Sequence, residues 1–231
     1  MPEKIIGILG GMGPEATIDL FYKIIKFTPA EKDQDHLRII IDNNPKIPDR
    51  TAAILGKGED PLPALQESAR NLEKAGVDFI IIPCNTAHYF LSSIQKSVKI
   101  PVLNMIEEAA KETQQRIFPI QKVGLLASIG IYKTEIYHQH FNKFNIEVIS
   151  PEEKDKEEVM KVIYAVKAGN LSDEVKGNIL EIAQKLIDKG AEVIITGCTE
   201  IPLILKEGDV SVPTIDPTQV LAKAAVQKAR L

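Results

Sequence analysis

Two cysteines in 231 residues are too few for a disulfide framework. A reducing compartment would keep both as thiols, so the cytosol is the expected location. Metal ligands are scarce as well. A zinc site needs about four, and of the four histidines only His88 lies near a cysteine in the chain, as Cys84-x-x-x-His88. His138 and His140 stand two apart on an expected helix, so they point in different directions and make a poor metal pair. With a formal charge of −4 there is no basic footprint for nucleic acid and no polybasic segment for a membrane. No apolar run approaches the roughly 20 residues that span a bilayer, and the first residues lack a signal-peptide pattern. What remains is a globular composition, 44% apolar and 26% charged, long enough for one large domain or two small lobes.

Strand-like runs alternate with helical ones throughout. The segments 4–10, 37–42, 77–82, 100–104, 122–127, 146–150, 191–196 and 212–216 are short, rich in Ile and Val, and bounded by turn residues. Amphipathic stretches such as 62–74 and 179–189 lie between them. Continuously apolar strands separated by helices indicate a parallel sheet covered on both faces, an α/β fold. Asp60-Pro61 and Asp216-Pro217 read as helix starts, an N-cap followed by proline at the first helical position.

The chain also resembles itself. "IGILGGMG" (6–13) aligns with "VGLLASIG" (123–130), and "KAGVDFIIIPCNT" (74–86) aligns with "DKGAEVIITGCTE" (188–200). "IPVLN" (100–104) aligns with "VPTID" (212–216). Gly7 pairs with Gly124, Cys84 with Cys198 and Pro101 with Pro213, at nearly constant spacing. Strand-turn-helix units look alike, so convergent patterning explains the apolar runs. It does not explain two cysteines at the same interval after a matched glycine. Two similar halves are therefore expected, each with a cysteine at the carboxyl end of the equivalent strand, where α/β sheets bind ligands.

Two such cysteines on opposite faces of one ligand would suit a two-base racemase. A thiolate near a helix N-terminus removes a proton, and a thiol opposite returns one, inverting the stereocentre. Either cysteine alone reads more simply as an inert buried residue. The polar residues that follow them, Asn85-Thr86 and Thr199-Glu200, suit a ligand-facing turn better than a core.

At these residues the chain resembles the cofactor-independent aspartate/glutamate racemase family, and its aspartate racemase branch in particular. The resemblance covers nearly the full length and rests on "GILGGMGP" (7–14), "NNPKIPDR" (43–50), "PCNTAH" (83–88), "KAGN" (167–170) and "GCTE" (197–200). The "CNT" and "GCT" frames mark the wider superfamily. "GGMGP" and "GCTE" point to the aspartate branch, because glutamate racemases commonly carry histidine after the second Cys-Thr. The resemblance implies an α/β fold of two pseudo-symmetric Rossmann-like lobes with parallel sheets and an active site in the cleft between them. Residues 1–103 with 214–231 would form the first lobe and 104–213 the second. It implies no cofactor, a small-molecule substrate (aspartate or a related dicarboxylic amino acid) and a homodimer. Cys84 and Cys198 would be the acid/base pair. Asn85, Thr86 and Thr199 would hold the α-carboxylate and amino group, and Arg50 with Lys167 the distal carboxylate.

By residue type alone, Arg50 on its Pro- and Asn-rich loop fits a carboxylate and an exposed surface position equally well. Lys167 alone would read as a solvated helix lysine. Glu200 would repel a dianionic substrate, so it is expected to orient a neighbour or to meet the ammonium. One departure stands out. The family often has Gly-Thr after the "GLLA" strand, where this chain has Gly130-Ile131, with Ser128 the nearest hydroxyl. Loss of that threonine would shift or widen specificity.

Gly11-x-Gly13-x-x-Ala16 also fits a dinucleotide fingerprint, with Asp42 near the position of a ribose-binding acid. An NAD-dependent oxidoreductase is therefore the rival reaction class, although it leaves both cysteines unused. The N–H groups of the same loop, at Met12 and Gly13, would equally hold a carboxylate. A non-catalytic amino-acid-binding protein, or an isomerase of another small acid, completes the alternatives.

Overall fold

The computed structural model describes residues 3–116 and 119–231. The chain divides into two compact units, Met1–Glu108 with Thr218–Leu231, and Ala109–Pro217. Each is an α/β unit built on its own parallel sheet.

In the first unit, β1 (Ile6–Gly10) lies between β2 (Ile39–Asn43) and β3 (Phe79–Ile81), all parallel. Every residue of β1 and β3 is buried, as expected where helices cover both faces. Alternation along β1 sends Ile6 and Ile8 to one face, against Leu20 and Ile24 of the helix Pro14–Phe27 and Leu221 of the helix Pro217–Arg230. Leu9 points to the other face, with Leu65 and Leu72 of the helix Leu62–Lys74. That last helix begins one residue later than the Asp-Pro pair placed it, with Pro61 as its N-cap, and Asp60 Oδ1 accepts from Leu62 N at 2.9 Å. The expected strand at 100–104 is reduced to a single bridge between Val102 and Ile80. Proline has no N–H, so Pro101 joins the sheet only as an acceptor, from Ile80 N at 2.9 Å.

In the second unit, β4 (Lys122–Ala127), β5 (Glu147–Ile149), β6 (Val193–Gly197) and β7 (Thr214–Ile215) form a parallel sheet in the order β5-β4-β6-β7. Thr214 and Ile215 pair with Ile194 and Ile195, so these residues extend the second sheet, and the division falls after Pro217 where 213 was expected. The acid-rich run at 151–159 opens the helix Glu153–Lys167, with Glu153 and Asp155 in its first turn. The helix Asp173–Asp188 packs beside it, burying Ile179, Ile182 and Leu186.

The internal repeat holds at the level of individual contacts. Asp78, one residue before β3, accepts from Ile5 N at 2.6 Å; Glu192, one residue before β6, accepts from Gln121 N and Lys122 N at 2.7 and 2.9 Å. A side chain at Gly7 would meet Val77, and one at Gly124 would meet Ala191, the aligned position. Pro213 O accepts from Ile194 N at 3.0 Å as Pro101 O does from Ile80 N. These are paired solutions to one packing problem, beyond what shared α/β patterning requires. Among the described residues no helix is long and apolar enough to cross a membrane.

Candidate functional site

Cys84 lies three residues beyond β3, 6% exposed, with its N–H donating to Ile82 O at 2.9 Å. Asn85 and the 3-10 turn Thr86–Phe90 follow, with Asn85, Thr86 and His88 buried. His88 fixes this turn. Its Nε2 accepts from Met105 N at 3.1 Å, so the neutral ring carries its proton on Nδ1 and donates it to Cys84 O at 2.8 Å. With both nitrogens engaged by the backbone, His88 is a strut for the cysteine turn. No group of three or more His, Cys, Asp or Glu suited to a metal ion occurs among the described residues.

Cys198 is the aligned residue of the second unit; it directly follows β6, which runs on to Gly197, and it has a different environment. Its Sγ donates to Glu200 Oε2 at 2.9 Å, and Thr199 Oγ1 donates to the same oxygen at 3.1 Å. Lys167, the last residue of the helix Glu153–Lys167, reaches the other oxygen of Glu200, with Nζ 3.8 Å from Oε1. Burial pushes the Cys198 thiol well up, and the charge and hydrogen bond of Glu200 add to the effect; Lys167 opposes it without prevailing. The helix after Cys198 is a single turn, Ile201–Ile204, and its dipole does not outweigh burial and a carboxylate. Cys198 is therefore a thiol. The Lys167–Glu200 pair escapes sequence reading, since the two residues lie far apart in the chain with no periodic relation. Glu200 itself accepts from two neighbours, Cys198 and Thr199.

The loop from β1 to the helix Pro14–Phe27 holds Met12 and Gly13, joined by a cis peptide bond. Thr17 Oγ1 accepts from Gly11 N at 2.9 Å and donates to Gly13 O at 3.1 Å. The Gly11 donor is thus spent internally and Pro14 supplies none, which removes two donors that a bound pyrophosphate would use. No acceptor engages the N–H of Met12 or Gly13 among the described residues. Gly11 itself has φ +95°, and a Cβ there would collide with the Asn44 backbone. Gly11→Ala is expected to destabilise the protein by about 3 kcal/mol or more, read as a lowered urea midpoint at unchanged slope.

Arg50 begins the short helix Arg50–Ile54, capped by Asp49, which accepts from Ala52 N at 2.6 Å. Its Nη1 donates to Ile47 O and Pro48 O at 3.2 and 2.9 Å, while its Nε is buried without a partner among the described residues. The Arg50 loop is tied to the glycine loop through Asn44 N, which donates to Gly10 O at 3.3 Å. Met12, Ile47 and Cys84 share one buried apolar cluster, so these parts of the first unit converge. Thr199, Glu200, Cys198 and Lys167 converge in the second. Ile131 is 1% exposed, a core residue of its unit, and offers no hydroxyl.

Comparison with known proteins places these features in context. The sequence pattern of the Asp/Glu/Hydantoin racemase family matches residues 9–225. The chain is 31% identical over 228 residues to the broad specificity amino-acid racemase RacX of Bacillus subtilis, covering 96% of each chain. Its fold is similar to the solved aspartate racemase of Picrophilus torridus, with TM-score 0.87, 34% identity, and coverage of 98% of this chain and 94% of that one. It is also similar to an aspartate racemase homologue from Pyrococcus horikoshii, with TM-score 0.79, 28% identity, and coverage of 99% and 100%. Two parallel sheets of three and four strands match the two-lobed fold of these enzymes. The protein is an isomerase, an amino-acid racemase of the cofactor-independent class. It belongs to the Asp/Glu/Hydantoin racemase family.

Proposed function

We propose that the substrate is aspartate and that Cys84 and Cys198 are its two proton carriers. The observation that carries this reading is the pair of cysteines at equivalent ends of β3 and β6, in a chain whose relatives include an aspartate racemase. For one enantiomer, the Cys84 thiolate takes the α-proton and the Cys198 thiol delivers its own proton to the opposite face. The products are the mirror-image amino acid, a Cys84 thiol and a Cys198 thiolate, the state that serves the reverse reaction. Proton exchange with water, through Glu200 at Cys198, restores the first state. Asn85, Thr86 and Thr199, with the N–H groups of Met12 and Gly13, hold the α-carboxylate and amino group. Thr199 serves through its N–H and as a hydroxyl acceptor, since its O–H is committed to Glu200; the other donors meet the charge that develops as the α-proton leaves.

Arg50 supports a second carboxylate on the substrate. A guanidinium with a buried, unpartnered Nε is an unsatisfied donor that a carboxylate would complete. Lys167 serves two acids, Glu200 and the distal carboxylate, and its charge offsets Glu200 as a dianionic substrate approaches. Arg50→Lys keeps the charge but loses the fork. The expected result is a fall in kcat/KM for aspartate of about 10- to 100-fold, mostly in KM, with weaker preference for aspartate over alanine. An unchanged preference would remove Arg50 from the distal carboxylate.

The test of the substrate is proton NMR of L- and D-aspartate incubated separately with enzyme in deuterated water. Loss of the α-proton signal together with chiral inversion supports aspartate; untouched aspartate rejects it. A broader range is the second reading, favoured by the likeness to RacX and by the buried Ile131 where a threonine donor is common. Exchange of neutral amino acids at rates near that of aspartate would establish it. A homodimer in the cytosol fits the family and the two free thiols.

A further inference from the structure

The helix Pro14–Phe27 buries Leu20 and Ile24 against β1 but leaves large apolar residues on its outer side: Ile18 is 67% exposed, Tyr22 54% and Phe21 36%. Beside it runs β2, an edge strand, with Ile41 39% exposed. Alternate strand residues share a face. Ile39 packs against the cluster containing Leu20 and Ile24, so Ile41 stands on the same face as the helix. An apolar groove of about 230 Å³, lined by Phe21, Ile25, Leu37 and Ile39 among others, joins helix to strand. A contiguous apolar surface of this kind on a soluble fold marks an interaction site.

We infer that this surface is the dimer interface, occupied by the same helix of a second copy running antiparallel about a two-fold axis. The arrangement of charge commits it to that occupant. Glu15 and Lys26 are both exposed and sit at opposite ends of the apolar stripe. The midpoint of Glu15 and Lys26 falls between Leu20 and Phe21, and the midpoint of Ile18 and Tyr22 falls on Leu20. At 1.5 Å per residue the two centres lie about 0.75 Å apart along the axis. One two-fold axis therefore places each Glu15 opposite the partner's Lys26, and each Ile18 opposite the partner's Tyr22. A self-complementary patch of this kind defines an isologous contact. Lys26 Nζ already lies over the Tyr22 ring, 5.2 Å from its centroid, so the cation is held at the edge of the apolar patch. The Asp19–Lys23 ion pair borders the stripe as a polar rim. A stable interface needs about 800 Å² from each partner, and the β2 edge with Ile41 extends the helix face toward that size. The pairing would also brace the loop at Met12 and Gly13, which enters this helix. The inference rests on the homodimer reading and not on the substrate.

Sedimentation velocity across a concentration series tests it, using the full chain. Wild type is expected to be a dimer, and Tyr22→Asp to raise the dissociation constant by about 30-fold or more. Glu15→Lys and Lys26→Glu are each expected to raise it about tenfold, because two-fold symmetry counts each change twice. The double variant, with both charges reversed, is expected to return to within about threefold of wild type, since complementarity is restored. A dimeric wild type whose affinity ignores all four variants overturns the surface. Single reversals that weaken the dimer with no recovery in the double variant overturn the antiparallel arrangement. A monomeric wild type overturns the homodimer reading as well, leaving the substrate assignment to its own test.

Discussion

Cys84→Ala and Cys198→Ala should each stop the inversion of aspartate, lowering kcat/KM by about 10³-fold or more. A two-base mechanism predicts more than inactivity. With one cysteine gone, the remaining one still faces one side of the α-carbon. It can remove a proton from one enantiomer and return a deuteron to the same face. In deuterated water each variant should therefore wash the α-proton out of one enantiomer only, without racemisation, and the two variants should choose opposite enantiomers. If both variants exchange the same enantiomer, the cysteines do not stand on opposite faces. If either keeps wild-type inversion, that cysteine is not a proton carrier. The structure adds an asymmetry, because Cys198 is a thiol held by Glu200 while Cys84 sits in a turn strutted by His88.

Much of this was legible in the chain before any fold was known. Strand positions followed from apolar runs, and both Asp-Pro pairs marked helix starts, because local sequence sets these directly. The repeat was legible because packing demands recur: a glycine under Val77 or Ala191, and an acid capping the central strand at Asp78 or Glu192. The cysteine positions stood out for the same reason. Other features depended on tertiary placement. The 100–104 segment reads as a strand by composition, yet the sheet takes only Val102. Residues 214–215 follow β6 because their pairing partner is there, which the order of segments does not dictate. The Cys198–Glu200–Lys167 chain illustrates the limit best. "GCTE" exposes the first two members, but Lys167 arrives from the far end of another helix. The sign of the shift at Cys198 then depends on burial and on which charge lies nearer, and neither is written in a motif.

That shift gives Glu200→Gln a distinctive signature. In the proposed two-base mechanism the competent free enzyme carries one thiol and one thiolate, so kcat/KM would fall on the alkaline side when the remaining thiol ionises. In the wild type, burial and Glu200 hold the Cys198 thiol well up, which carries the alkaline limb upward. Glutamine removes the negative charge and the anionic acceptor, both of which raise this pKa, while Lys167 continues to lower it. The alkaline limb must then move to lower pH. At the same time the variant has no carboxylate to take and return the Cys198 proton, and kcat/KM is expected to fall about 10²-fold. Glu200→Asp, which keeps the charge, should restore part of the rate and hold the limb nearer its wild-type position. Because racemisation has an equilibrium constant of one, kcat/KM must be equal for the two enantiomers at every pH. The limb must therefore move equally in both directions of reaction, even though Glu200 touches only one cysteine. A rate loss with the alkaline limb unmoved would make Glu200 a packing element. A limb that moved upward would mean that the alkaline limb does not report the Cys198 thiol, because loss of Glu200 can only lower its pKa.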